Sequence, residues 1–131
     1  KKAIKLSAAP VKLIAAAYGD YKKTGSFNPF LLNDLAFNTE LDGIMIDTID
    51  KSGKNLFDFL NPRELKDFCL QAKKAKVFSA LAGSLRFDHL DLLKEIKPDI
   101  IGFRGAVCKN NDRSSKINAD LINKLYQKIQ S

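Results

Sequence analysis

The stretch GIMIDTIDKSGKNLFDFLNPRELKDFCLQAKK, residues 43–74, decides the fold. It opens with an apolar run that shows no polar alternation, as expected of a strand buried on both faces of a parallel sheet. A polar loop containing Gly53 follows, and then an amphipathic helical pattern with Asn61 as N-cap and Pro62 in the first helical position. A buried strand that ends by presenting Asp47, Thr48, Asp50 and Lys51 within five residues directs chemistry outward at its carboxyl end.

The same unit is found on both sides of this stretch. Upstream, VKLIAAAY (11–18) leads through the loop YGDYKKTGSFNP to the helical pattern PFLLNDLAFN (29–38). Downstream, KVFSALAGS (76–84) precedes FDHLDLLKEIK (87–97), with Asp88 as the expected N-cap. The last unit runs from DIIGFRGAV (99–107) through KNNDRSSK to a terminal helix, INADLINKLYQKI (117–129). Four consecutive βα units specify an α/β fold with parallel strands covered by helices. Two architectures meet that description, a doubly wound open sheet and part of a (β/α)₈ barrel. A complete barrel takes ~200 residues or more, so four units make half of one. A half barrel exposes two raw strand edges and an open apolar interior, and should pair with a complementary half or with a second copy of itself. KKAIKLSAAP (1–10) reads as the end of a preceding helix and a linker, and the initial Lys points to a piece of a longer protein. Residues 1–131 are expected to form a single domain.

Composition narrows the function classes. A chain of 131 residues that is 45% hydrophobic buries a real core. The net charge of +7 comes from lysines scattered over helical segments, such as Lys66, Lys73, Lys74, Lys94 and Lys128, with no basic tail and little aromatic interleaving. That pattern argues against nucleic acid and for solvated helix faces, with a modest field favouring a small anionic substrate such as a sugar phosphate. No apolar run approaches the ~20 residues of a membrane span and no signal pattern opens the chain, so a soluble, cytoplasmic protein without a membrane partner is expected. Cys69 and Cys108 are too few and too unpatterned for a disulfide framework or a zinc site. Neither a metal nor a cofactor is expected.

In either architecture the reactive groups belong at the carboxyl ends of the strands. Those ends present Tyr18 and Asp20; Asp47, Thr48 and Lys51; Gly83, Ser84 and Arg86; and Arg104, Gly105 and Cys108. Polar convergence from four successive strands weighs more than any single residue. Asp47 and Lys51, four apart across a strand exit, suit general acid/base work, and equally suit an ion pair that orients the loop. Gly83 and Ser84, and Arg104 and Gly105, lie where barrel loops cradle phosphate; alternatively the glycines simply turn the chain. The nearby Arg86 and Arg104 favour phosphate. Asp20 is a candidate substrate contact. His89, the only histidine, is assigned to a capping or surface role, Cys69 to the core and Cys108 to structure.

Four strings, LIAAAYGDYKKTGSFNP, MIDTIDKSGKNLFDFL, ALAGSLRFDHL and DIIGFRGAVCKNNDR, together resemble the C-terminal half of the (5-formylfuran-3-yl)methyl phosphate synthase family of methanofuran biosynthesis. The match runs from about position 11 to the last helix. Its specificity lies in the combination of DT-x-x-K, LFDFL, LAGSL and RGAVC. The resemblance implies a (β/α)₈ TIM barrel, of which this chain would carry the fifth to eighth strands. It implies a lyase that condenses two molecules of glyceraldehyde 3-phosphate, with loss of phosphate and water, through Schiff-base chemistry. Asp47 and Lys51 match the family's catalytic Asp and Lys of the DT-x-x-K segment. The family's Schiff-base lysine lies on an early strand outside these residues, so the 131 residues alone are expected to be inactive. Two other readings remain, a different phosphosugar aldolase or isomerase on a similar barrel, and a non-catalytic domain binding a phosphorylated metabolite.

Overall fold

The computed structural model describes residues 10–131, and the helix end expected over residues 1–10 lies, apart from Pro10, outside them. Four strands, β1 (Ile14–Tyr18), β2 (Gly43–Asp47), β3 (Phe78–Leu81) and β4 (Ile100–Ile101), form one sheet. They pair in parallel, in the order in which they occur along the chain. Among the described residues, six helices connect and follow them: α1 (Tyr21–Thr24), α2 (Leu31–Asn38), α3 (Leu56–Phe59), α4 (Pro62–Lys74), α5 (Leu90–Ile96) and α6 (Ala119–Gln130). A consecutive 1-2-3-4 order contains no reversal, so this sheet lacks the switch point of a doubly wound fold. Parallel strands joined in sequence order take right-handed crossovers as a rule, which lays connecting helices on one face of the sheet. The described residues thus form an α/β unit consistent with part of an α/β barrel.

Register explains how the two faces differ. Ala17, Ile46, Leu81 and Ile101 lie side by side across all four strands. This row faces the helices and joins Ile44, Leu65, Phe68 and Leu93 in the main core cluster. A side chain as large as Phe68, fully buried and edge-on to Phe30 at 6.4 Å, stabilises the fold by roughly 1.5–3 kcal/mol relative to exposure. The opposite row of Ala16, Met45, Ala80 and Ile100 faces away from the helices. That face is apolar yet open at its edges, with Ile14 45% and Ile100 49% exposed.

Local signals terminate the elements. Asn61 caps α4 by accepting from the Glu64 N–H at 2.8 Å, with Pro62 in the first turn. LFDFL forms the short helix α3, held by a capping box in which Asn55 accepts from the Phe57 N–H and Asp58 accepts from the Asn55 N–H. Asn118 accepts from two N–H groups at the start of α6. The fourth unit departs from expectation. Its strand ends at Ile101, and residues 105–107 and 109–111 form two 3-10 turns instead of continuing it. The cause is a second core cluster, in which Val107 packs with Leu90 and Leu125 and draws the chain off the sheet.

Asp88 does not cap α5 as expected. It lies inside a 3-10 turn, residues 87–89, that begins because His89 Nδ1 accepts the Arg86 N–H at 2.9 Å. His89 is half-buried against Phe57, and burial lowers its pKa, although Asp88 opposes the shift. A lowered folded pKa gives stability that is complete above the ordinary imidazole value of ~6.5 and is lost as pH falls through the folded value. As pH falls from 7 through the imidazole range the protein is therefore expected to lose a small increment of stability, with an imidazole-like transition. A His89→Asn variant should be flat over that window in thermal melts, because no other imidazole exists in the chain.

No helix among the described residues is long and apolar enough to cross a membrane.

Candidate active site at the carboxyl ends of the strands

Asp47 is the last residue of β2, and the parallel register sets it beside Tyr18, the last residue of β1. The chain then turns back on itself. Asp47 Oδ1 accepts the Thr48 N–H at 2.7 Å, and Lys51 Nζ reaches the same oxygen at 3.3 Å. Lys51 Nζ also donates to Thr48 Oγ1 at 3.2 Å. Both charged groups keep about a third of their side-chain surface exposed, 29% for Lys51 and 34% for Asp47. A pair this exposed contributes ~0–1 kcal/mol to stability. It keeps an ammonium and a carboxylate adjacent to each other and open to a ligand.

Thr48 is buried, and Gly83 lies directly over it. Gly83 has φ of +121°, and a Cβ there would stand 2.8 Å from Thr48 Cγ2. The Gly83 carbonyl accepts the Leu56 N–H, which ties the β3 exit to the end of the Lys51 loop. Ser84 continues in the left-handed region with φ of +49° and is exposed. Among the described residues, no group accepts a hydrogen bond from the N–H of Gly83, Ser84 or Leu85. Successive N–H groups in such a turn form a concavity suited to an anion.

One cleft of about 530 Å³ collects Asp47, Lys51, Gly83, Ser84, Arg104 and Gly105. Arg86 and Arg113 also line it. Four cations therefore face one carboxylate. Arg86 is partly engaged by Asp88 at 3.4 Å, an exposed contact. Arg113 was not singled out from the sequence, where KNNDRSSK reads as a polar loop. Asn110 and Asn111, with φ of +57° and +55°, bend that loop back so that it returns against Gly105. The paired asparagines, tolerant of the left-handed region, are the signal that marks the bend. Thr48 was legible only as part of a strand exit, and its burial beneath Gly83 is a tertiary fact.

Asp20 does not line this cleft. Its carboxylate is buried, accepting the Ile49 N–H at 3.0 Å and the Asp50 N–H at 2.8 Å. With both oxygens engaged by backbone, it is placed to hold a loop and not to meet a substrate in the cleft. Asp50 is further engaged by Lys23, whose ammonium, followed by Ser52, holds its carboxyl well below the usual carboxylate range. Cys108 is fully buried, its thiol donating to the Arg104 carbonyl, and Cys69 is buried with its thiol pushed up to about 11 by desolvation. The Cys69 thiol is therefore a poor nucleophile at neutral pH, and the Cys108 thiol is shut away from solvent.

A larger hollow of about 680 Å³ opens between the short helices and α4. Asp20, Asp34, Asp58, Glu64 and Asp67 outnumber Lys22 and Lys23 along it, the opposite of what a phosphate needs.

Comparison with known proteins finds relatives along nearly the whole chain. The family described as 4-HFC-P synthase matches residues 1–126. A (5-formylfuran-3-yl)methyl phosphate synthase of Methanosarcina mazei is 42% identical over 120 residues, covering 92% of this chain and 51% of the relative. Those of Archaeoglobus fulgidus and Methanocaldococcus jannaschii are 38% and 39% identical, covering 90% and 88% of this chain and 50% and 49% of the relatives. The chain thus spans about half the length of the curated relatives it matches. With a family match across nearly all of its residues, this chain belongs to the 4-HFC-P synthase family.

Proposed function

We propose that this chain is the carboxyl-terminal half of a (β/α)₈ barrel synthase, acting on glyceraldehyde 3-phosphate to form (5-formylfuran-3-yl)methyl phosphate. The observation that carries the reading is the cleft itself, in which the Asp47–Lys51 pair opens onto a wall of arginines and free backbone N–H groups. Joining two triose phosphates needs an amine to form an iminium, groups that move protons, and anion sites for the phosphates. The chain offers the second and third. Asp47 takes the proton from the carbon beside the iminium or carbonyl. Lys51, as an ammonium, gives a proton to the oxygen that becomes hydroxyl; its amine then takes the next carbon-bound proton while Asp47 returns its own to the hydroxyl, which leaves as water. Arg104 and Arg113, with the N–H groups at Gly83 and Ser84, hold a phosphate dianion, and Gly105 lets the chain bend close to it. The iminium-forming lysine is assigned to the complementary half, which makes the 131 residues alone inactive and places the overall reaction among carbon–oxygen lyases acting on phosphates.

The assembled synthase, incubated with glyceraldehyde 3-phosphate, should release the furan phosphate detectable by mass spectrometry, and borohydride should trap a covalent adduct. Absence of both product and adduct overturns the reading. A product other than the furan assigns the cleft to a different phosphosugar reaction.

Exposed apolar side chains support the half-barrel architecture by where they lie. On α2, Asn33 donates to the Phe68 carbonyl of α4, so Leu31 and Leu35 project from the opposite side of the helix, both exposed. At the other edge, Ile122, Tyr126 and Ile129 form an exposed stripe along α6. Unpartnered stripes at both edges, beside an open sheet face, need covering. The 131-residue chain is accordingly expected to sediment as a dimer or larger assembly, or to bind a complementary half. A monodisperse monomer at tens of micromolar contradicts the architecture.

A further inference from the structure

Asp20 stands at the N-cap position of α1, where an aspartate ordinarily accepts from the N–H groups of its own first turn. It makes no such bond. Its carboxylate instead turns across the sheet end to a segment 29 and 30 residues away, and each oxygen accepts one N–H: Oδ1 from Ile49 and Oδ2 from Asp50. The side chain is 1% exposed. Burying a carboxylate is costly unless it is fully hydrogen-bonded, so the arrangement is specific to these two donors. The same short helix supplies a second tether, because Lys23 pairs with Asp50. A third contact closes the set, the Gly19 N–H donating to the Asp47 carbonyl at 2.7 Å. The β1 exit therefore grips residues 47, 49 and 50, immediately before Lys51.

We propose that Asp20, seconded by Lys23, is a positioning residue for Lys51: its bidentate grip on the Ile49 and Asp50 N–H groups sets the loop that carries the Lys51 amine to Asp47 and Thr48. This rests on the acid/base reading of Lys51 given above. The loop lacks strand or helix geometry between residues 48 and 55, and Gly53 within it has open space around it. Within it, the Lys51 and Ser52 bonds run to Asp47, Thr48 and Asp50, all local, so they do not tie it to β1. A loop released by about 1 Å would move the amine out of reach of the reacting oxygen, an error that costs on the order of 10²-fold in rate.

The test uses Asp20→Asn, which keeps one oxygen acceptor but turns an amide NH₂ toward an N–H donor. In the assembled synthase, kcat should fall about 10- to 100-fold with KM changed less than about threefold, and the basic limb of the pH–rate profile should shift. Residue-resolved labelling with acetic anhydride, read by peptide mass spectrometry over a range of pH, should show altered reactivity of Lys51 and unaltered reactivity of Lys66 and Lys73. Amide exchange at Ile49 and Asp50 should accelerate. Wild-type kcat, pH profile and Lys51 labelling in Asp20→Asn overturn the proposal. If Asp20→Asn does not fold, Lys23→Met carries the test. The Lys23 side chain is 56% exposed, and unchanged Lys51 labelling in that variant is equally fatal. Labelling is independent of turnover. If Lys51→Ala retains full activity the acid/base reading fails, while the labelling result still decides whether Asp20 places the amine.

Discussion

Replacing Lys51 by alanine is expected to lower kcat of the assembled synthase by about 10²–10⁴-fold, the range for removing a general acid or base. The fold should barely respond, since the Asp47–Lys51 pair is a third exposed and 3.3 Å long, a contact worth ~0–1 kcal/mol. The informative companion is Lys51→Arg. Arginine keeps the positive charge and can pair with Asp47, but it does not give up its proton near neutral pH. If Lys51 moves protons, Lys51→Arg should be nearly as inactive as Lys51→Ala. If the pair only orients the loop, Lys51→Arg should retain most of the activity, and the acid/base reading falls. Steady-state kinetics with both variants, beside melting temperatures that stay within a few degrees of wild type, separate the two readings that the spacing in DT-x-x-K leaves equal.

Gly83→Ala should produce the largest loss of stability among single-methyl changes near the cleft. Two costs coincide. The backbone φ of +121° is a conformation L side chains rarely adopt, at roughly 1–3 kcal/mol. The new Cβ would also stand 2.8 Å from Thr48 Cγ2 and 3.0 Å from Thr48 Oγ1. Thr48 is 2% exposed and cannot swing away, so overpacking adds about 1–3 kcal/mol more. A total of about 2–6 kcal/mol corresponds to a drop on the order of 10 °C in Tm. Gly53→Ala is the control. It too has a positive φ, +97°, but nothing lies within 4 Å of its Cβ position, so only the conformational cost, about 1–2 kcal/mol, should appear. Calorimetry on the two variants tests whether contact with Thr48, and not glycine flexibility as such, explains Gly83. Equal losses would show that the contact contributes nothing.

Several elements were legible because their signals are local. The N-cap Asn61 with Pro62 began α4 where expected, and the apolar runs before Asp47 and before Ala82 became β2 and β3. Elements whose bounds depend on distant packing were not. Residues 99–107 are apolar enough to read as one strand, yet only Ile100–Ile101 pair with β3, because Val107 finds its partners in Leu90 and Leu125. Asp88 has the chemistry of an N-cap, but His89 reaches the Arg86 N–H and moves the start of the turn. Six of the candidate residues, Asp47, Lys51, Gly83, Ser84, Arg104 and Gly105, share one cleft. They were recognisable because a parallel sheet brings consecutive strand exits to the same end.

By itself, the sequence determined that the chain alternates apolar strands with amphipathic helices, that polar groups gather where those strands end, and which family the motifs belong to. Periodicity, capping and short motifs are properties of adjacent residues. Tertiary structure alone decided what each polar group does there. Asp20 and Asp47 look alike as carboxylates at strand exits. One is buried with both oxygens taken by the Ile49 and Asp50 N–H groups. The other stands a third exposed beside an ammonium, in a cleft with three arginines. Burial and hydrogen-bond partners separate an anchor from a candidate acid/base group, and the anchor's partners lie some thirty residues away, in a segment that meets it only when the sheet forms.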